Sequence, residues 1–355
     1  MVRKMKHCLR SAVLLGLLAS SLVHAQATPP DSLLVLAKRG NTVAIVDPTS
    51  LKVVTRIPVG KDPHEVIASA DGGTAYVSNY GFGAYNTLAV VDLVAQKARP
   101  AIDLGPLRGP HGLAFAGGKV WFTAEAAKAI GSYDPKSGQV DWVLGTGQNR
   151  THMIFVAPDQ QRIVTTNVNS GTVTVIEKSA KSTTAPAPPG PPGSLQPPPG
   201  LPPSGADWEE TVVPVGGGPE GFDVSPDGRE IWVANSHEGT VSIIDTASKK
   251  VTATLAANVV GANRLKFTPD GKQVFISSLR NPELAILDSA TRKDVKRLKV
   301  GSGAAGILMQ PDGARAYVAC SPDGYVVVID LKTLEVVGRI EAGQQPDGLA
   351  WASRH

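Results

Sequence analysis

The chain has 355 residues, 35 lysines and arginines against 31 aspartates and glutamates, and 42 % hydrophobic residues. That length and apolar content suit a packed core in one or two domains and exclude a disordered chain. Two cysteines, Cys8 and Cys320, exclude a disulfide-stapled scaffold.

Residues 1–25 read as a secretory signal peptide. Arg3, Lys4, Lys6 and Arg10 form a basic front, Ser11–Val23 is largely apolar, and Val23-His24-Ala25 offers a small-residue cleavage site. The apolar run is short for a membrane span, and no later stretch is long enough for one. Removing the leader takes away four basic residues and leaves 31 charges of each sign, with Cys320 alone. The basic pI therefore belongs to the leader, and nucleic acid loses its support as a partner. The expectation is a bacterial periplasmic or secreted protein.

From residue 32 onward one pattern repeats. Apolar runs end in an acid at Asp47, Asp92, Asp134, Glu177, Asp245, Asp288 and Asp330, in steps of 45, 42, 43, 68, 43 and 42 residues. The long step contains a proline-rich insertion over 180–206, within blade four. Each unit reads as four short strands. In the fifth, "GFDVS", "EIWVAN", "TVSIID" and "KVTATLA" are separated by "PDG" and "SHEG" turns. No stretch of the mature chain is a convincing amphipathic helix. The recurring acid is expected to cap a turn. "SLLVLAKRG" lacks a preceding first strand, and "PDGLAWAS" (346–353) lacks followers. The fold class expected is all-β: a seven-bladed β-propeller of four-stranded antiparallel blades over 32–353, one blade shared by the terminal strands. Joining them removes open sheet edges.

"PEGFDVSPDGREIWVAN", "PHEVIASADGGTAYVSN" and "VVVIDLKTLEVVGRIEAG" resemble the YVTN repeats of bacterial propellers, including the periplasmic YncE-like group. The signature asparagine of that family is matched at Asn79, Asn167 and Asn235, and replaced at Glu125, Ser278 and Cys320. Tolerance of positive φ is the expected reason for asparagine there. The resemblance is specific for fold and says little about function.

Aligning the first strands places one residue per blade in a ring: His64, His111, His152, Glu220, Asn263, Ala305 and Asp347. Five histidines follow the leader, and three of them share this position on blades two, three and four. First strands of a propeller line its axis, so these starts surround one mouth, the expected binding site for a small molecule or protein partner. "NYGFGAYNT" (79–87) adds Tyr80, Phe82 and Tyr85, which could stack a sugar, a lactone or another planar ligand. Glu125, His237, Glu238 and Arg280 fall on corresponding loops. A competing reading is structural. Strand alternation puts His111 with Leu113 and Phe115 on one face, toward the neighbouring blade, where an imidazole caps a backbone group. A divalent transition metal held by His64, His111 and His152 is a sharper version of the site.

The leading functional expectation is an exported scaffold that binds through this mouth, with a second docking element in the proline-rich insertion. The alternative is enzymatic. "YVSNYGFG" resembles the 6-phosphogluconolactonase-type propeller, and "GGKVWFTAEAAKAIGSYDPKSGQV" resembles streptogramin-lyase and lactonase-type repeats. That resemblance implies a lactone hydrolase or lyase with His111 or His152 as base and Glu220 or a metal as polariser. "GGGPEG" (216–221) is not a nucleotide loop, because a strand follows it. The haem attachment motif "CxxCH" is absent, so a redox role would need a cofactor carried by another protein.

Overall fold

The computed structural model describes residues 26–179 and 208–354; the leader and the insertion expected at 180–206 lie outside them. Seven four-stranded antiparallel sheets form the fold. Blade one is closed as expected: the last strand, Pro346–Ser353, pairs with the first, Asp31–Ala37. The six other inner strands are Pro63–Ala68, Pro110–Ala116, Thr151–Val156, Pro219–Val224, Ala262–Phe267 and Ala304–Met309. Each inner strand touches the next, and the contacts close into a ring. Among the described residues no helix is long and apolar enough to cross a membrane.

The sequence pattern follows from the layering. The middle strands of a blade are covered on both faces by neighbouring blades, so "VAIV" (43–46) and "VVVI" (326–329) are continuously apolar and buried. Phe275, Ile286, Ile307 and Val318 interlock between blades six and seven in this way. Outer strands alternate: "EVVGRI" (335–340) partly buries Val336 and Gly338, buries Ile340, and exposes the residues between. Six of the seven recurring acids cap turns. Asp47, for example, accepts from the Thr49 N–H at 2.9 Å and the Ser50 hydroxyl at 2.7 Å, and Asp92, Asp134, Asp245, Asp288 and Asp330 accept turn N–H groups likewise. Glu177 differs. Its longer side chain pairs with Arg162 and reaches Lys249 of blade five at 2.6 Å.

The signature asparagines are not at positive φ. Their side chains carry the job instead. Asn79 donates to the Val59 carbonyl at 2.8 Å, and Asn167 and Asn235 each donate to two hydroxyls of their own hairpin. Register also corrects the alignment in blade three. Pro110 pairs with Ala124 as Pro63 pairs with Asn79, so Ala124 takes the signature position and Glu125 follows it.

The inner strands are not regular. Pro63 faces Asn79 and Val66 faces Val77, so His64 and Glu65 together oppose Ser78. The same one-residue bulge recurs in the other inner strands. It interrupts side-chain alternation at the ring position itself. The N–H freed by the bulge donates to a second-strand hydroxyl: Glu65 to Ser78 at 3.0 Å, Gly112 to Thr123 at 2.9 Å, Arg264 to Ser277 at 3.1 Å. Thr123 in turn donates to the His152 carbonyl at 2.8 Å and Ser277 to the Ala305 carbonyl at 2.7 Å, tying each bulge to the next blade.

The residue after each ring position alternates between glycine and a long side chain: Gly348, Glu65, Gly112, Met153, Gly221, Arg264, Gly306. The glycines permit close approach of the next inner strand. A Cβ at Gly306 would lie 2.1 Å from the Asp347 carbonyl oxygen, and one at Gly112 would lie 2.6 Å from that of His152. Gly306→Ala is therefore expected to cost about 1–3 kcal/mol, the usual range for overpacking. Urea denaturation measures it; a cost below about 0.5 kcal/mol, the ordinary scatter of surface changes, would contradict the close approach.

Candidate functional site

Because of the bulges, the three ring histidines turn toward one another. The His64 and His111 ring centroids are 5.0 Å apart, and those of His111 and His152 are 3.8 Å apart at 34°. The alternation argument fails here because it assumes an unbroken strand. Tyr80 packs edge-on against both His64 and His111, at 4.8 and 5.1 Å. Phe82 lies 6.5 Å from His64 and is 85 % exposed, in a left-handed conformation at φ 49°. It stands at the solvent side of His64 and of Tyr80, whose ring centroid is 5.5 Å away.

Ionic partners fix each imidazole differently. His64 has Asp62 Oδ1 at 3.2 Å from Nε2, and Asp347 Oδ2 at 3.7 Å from Nδ1. Lys38 Nζ holds the same Asp347 oxygen at 3.2 Å. His152 is gripped on both nitrogens, by Glu125 Oε1 at 2.5 Å and Glu220 Oε2 at 2.9 Å. Arg150 reaches both carboxylates, Glu220 at 3.2 Å and Glu125 at 3.7 Å. The Tyr80 hydroxyl donates to the other Glu125 oxygen at 2.5 Å. His111 lies between these groups, 2 % exposed, and its Nδ1 has no hydrogen-bond partner.

Protonation follows from these contacts. Burial first, and then Coulombic coupling to His152, His64, Arg264 and Arg150, push His111 well below its ordinary value of 6.5, so it is neutral at pH 7. Burial opposes the charged form of His152 too, but Glu220 and Glu125 outweigh it and raise its value above 6.5. For Glu220, burial is outweighed by His152, Arg150 and Arg264, and its carboxyl is lowered to about 2. Burial first, and then Glu125, raise the Tyr80 hydroxyl, so it remains a donor. The two stacked imidazoles are thus pushed in opposite directions, His111 down and His152 up.

The axis beneath the site is closed by an ion pair. Arg264 of blade six bonds Glu65 of blade two, although their strands are not neighbours in the ring. Its guanidinium also donates to the Asn263 carbonyl at 3.1 Å and side-chain oxygen at 3.3 Å. Burial is outweighed by Glu65, Asp347 and Glu220, which raise Arg264 above its ordinary value.

Of the residues expected at the site, His64, His111, His152, Glu220, Asp347, Tyr80 and Phe82 come together, with Glu125 at their centre. Asn263 stands with Arg264 at the axis. Tyr85 packs under Gly81 and lines a separate cleft with Pro58, Gly60 and Thr87. His237 and Glu238 are exposed beside Gly217, which donates to Glu238 at 2.9 Å. Arg280 packs against Gly261. Neither loop reaches the histidines.

Asp62, Arg150, Lys38, Glu65 and Arg264 went unnoticed in the sequence, yet a signal existed. The residue two before each ring position is left-handed in all seven blades: Asp62, Gly109, Arg150, Gly218, Gly261, Gly303 and Gln345. Four blades use glycine there. Asp62 and Arg150 occupy a conformation that disfavours side chains, and both contact the histidine cluster.

Comparison with known proteins supports the fold. A family model described as the cytochrome D1 heme domain matches residues 205–314. A protein of unknown function from Desulfotomaculum acetoxidans DSM 771 superposes with a TM-score of 0.70 at 13 % identity, covering 91 % of this chain and 99 % of that one. Kuenenia stuttgartiensis hydrazine synthase gives 0.62 at 18 % identity, over 81 % and 89 %. A putative 6-phosphogluconolactonase from Bacteroides uniformis ATCC 8492 gives 0.67 at 14 % identity, over 91 % and 100 %. No curated protein matches in sequence. The stretch matching the heme domain contains one histidine, His237, which is exposed, and the buried histidines lie outside it. The match covers less than a third of the chain, and besides His237 its one residue of an axial-ligand type is Met309, at the end of an inner strand of blade seven.

Proposed function

We propose that the chain is an exported YVTN-type, YncE-like propeller that binds a small molecule or a protein partner at the mouth carrying His64, His111 and His152. The observation that carries this reading is the convergence of three imidazoles, Tyr80 and the exposed ring of Phe82, carried on a left-handed backbone. A structural cap needs one imidazole and one backbone acceptor; it needs neither the row of rings nor two left-handed polar residues beside it. Opposite charges are nearly matched around the mouth, which favours a neutral polar ligand with a face to stack on Phe82. The leader at 1–25 supports periplasmic placement, and the insertion at 180–206 is a candidate arm for protein docking.

A second reading has a specific observation behind it. His111 is pushed well below its ordinary value and His152 above it, with ring centroids 3.8 Å apart, and such opposed pairs mark general base and general acid. A lactone hydrolase would use His111 as base, with His152 and Glu220 polarising the carbonyl. One experiment serves both readings: a sugar lactone is added while melting temperature and acid release are followed. Binding without turnover supports the scaffold, and turnover supports the enzyme. In each case the response is expected to disappear in His64→Phe and Phe82→Ala. A panel of sugars, lactones and planar aromatics that leaves the wild type unchanged would refute the mouth as a small-molecule site.

A further inference from the structure

We propose that His111, His152 and Glu125 form a binding site for one divalent transition-metal ion of the zinc, iron or cobalt type. This deepens the reading of the mouth as a binding site and revises the ligand set expected from the sequence. Donor atoms of these three residues lie within 4.8 Å of one another, and all three side chains are buried. His64 stays outside the set, occupied by Asp62 and Asp347.

Geometry alone would leave a cluster; a second observation points to a ligand. His111 Nδ1 is buried without any partner, in a side chain 2 % exposed. Buried polar nitrogens are ordinarily satisfied, and an unexplained exception asks for an absent group. The outer shell is already in place. With Nδ1 of His152 as ligand, its Nε2–H donates to Glu220 at 2.9 Å, the carboxylate–histidine arrangement that fixes ligating imidazoles. The free oxygen of Glu125 is held by the Tyr80 hydroxyl at 2.5 Å.

The donor types select the metal. Two imidazoles and a carboxylate suit zinc and its first-row neighbours, whereas calcium and magnesium take oxygen. His152 Nδ1 and Glu125 Oε1 are 2.5 Å apart with a proton between them. Metal bonds of ~2.0–2.2 Å require that pair to part slightly, with the ion taking the place of the proton, which leaves to solvent. Three protein donors leave a coordination position for water or a ligand.

The test uses the full chain, stripped with chelator, loaded with Zn2+ or Co2+ and freed of excess. Elemental analysis is expected to find one ion per chain, with visible Co2+ absorption and a raised melting temperature. His111→Phe keeps the stacked ring without nitrogen, and Glu125→Gln keeps the bond to Tyr80 without the charge. Each is expected to weaken binding by more than the roughly 10- to 100-fold that loss of an outer-shell partner costs. His237→Ala, at an exposed histidine outside the cluster, is expected to bind as wild type. Melting of the metal-free variants confirms that they fold. A folded wild type with only trace metal overturns the proposal, as does undiminished binding by both variants. Failure here is separable from failure of the mouth: a metal-free protein that still responds to a lactone through His64 and Phe82 loses only the metal site.

Discussion

Arg264→Met is expected to destabilise the protein by about 3–5 kcal/mol, the cost of leaving one member of a buried ion pair uncompensated. The Arg264 side chain is 7 % exposed and that of Glu65 is 12 % exposed, and they meet across the axis from blades that are not neighbours in the ring. Removing the guanidinium strands the Glu65 carboxylate among first strands and takes two bonds from Asn263. Replacing both members, with Glu65→Leu and Arg264→Met, is expected to restore most of the loss, because apolar substitutes for a complete buried pair are often neutral. Urea denaturation of the two single variants and the double gives the coupling. A single variant costing under about 1 kcal/mol, the range of surface pairs, would mean that the axis is wet and the pair incidental.

The second large effect is a pH dependence. His111 has a folded value well below its ordinary 6.5. As pH falls below 6.5, the unfolded chain gains a proton that the folded chain refuses, so stability is lost on the acid side. His152 works the other way: its raised value adds stability that is complete below 6.5 and disappears as pH rises through the folded value. Glu220, lowered to about 2, adds stability above its ordinary 4.5 that is lost as pH falls toward 2. Between pH 6.5 and 5 the His111 contribution therefore stands apart. His111→Phe is expected to gain on the wild type as pH falls across that window, by no more than about 1.4 kcal/mol per pH unit. Parallel stability curves for the two proteins would show that His111 is protonated in the fold, contrary to the site described.

The propeller was legible because its cause is periodic. Sheets covered on both faces need continuous apolar runs, and their turns need Asp, Asn and Gly, so a step of 42–45 residues declares the blade count. The phase of the histidines was legible for the same reason. Their direction was not, because one extra residue per inner strand sets it, and a bulge leaves no mark in an alternating pattern read without its partner strand. Glu125 illustrates the same limit: a one-residue shift in blade three hid that it follows the signature position, as Tyr80 does in blade two. Arg264 and Glu65, 199 residues apart in sequence, could be paired only once the ring was closed. The asparagines were correctly marked as structural, but through side-chain bonds rather than backbone tolerance.

The alternation of glycine and long side chains around the axis has a consequence in parity. A closed ring of odd number cannot be coloured in two alternating colours; one pair of like neighbours must remain. Here the mismatch falls between Gly306 and Gly348, at the seam between blade seven and the blade assembled from the first and last strands. At this level of the axis the strand that completes the ring therefore meets the backbone of blade seven, with no long side chain between them. A propeller of even blade number would have no such vacancy to offer its closing strand.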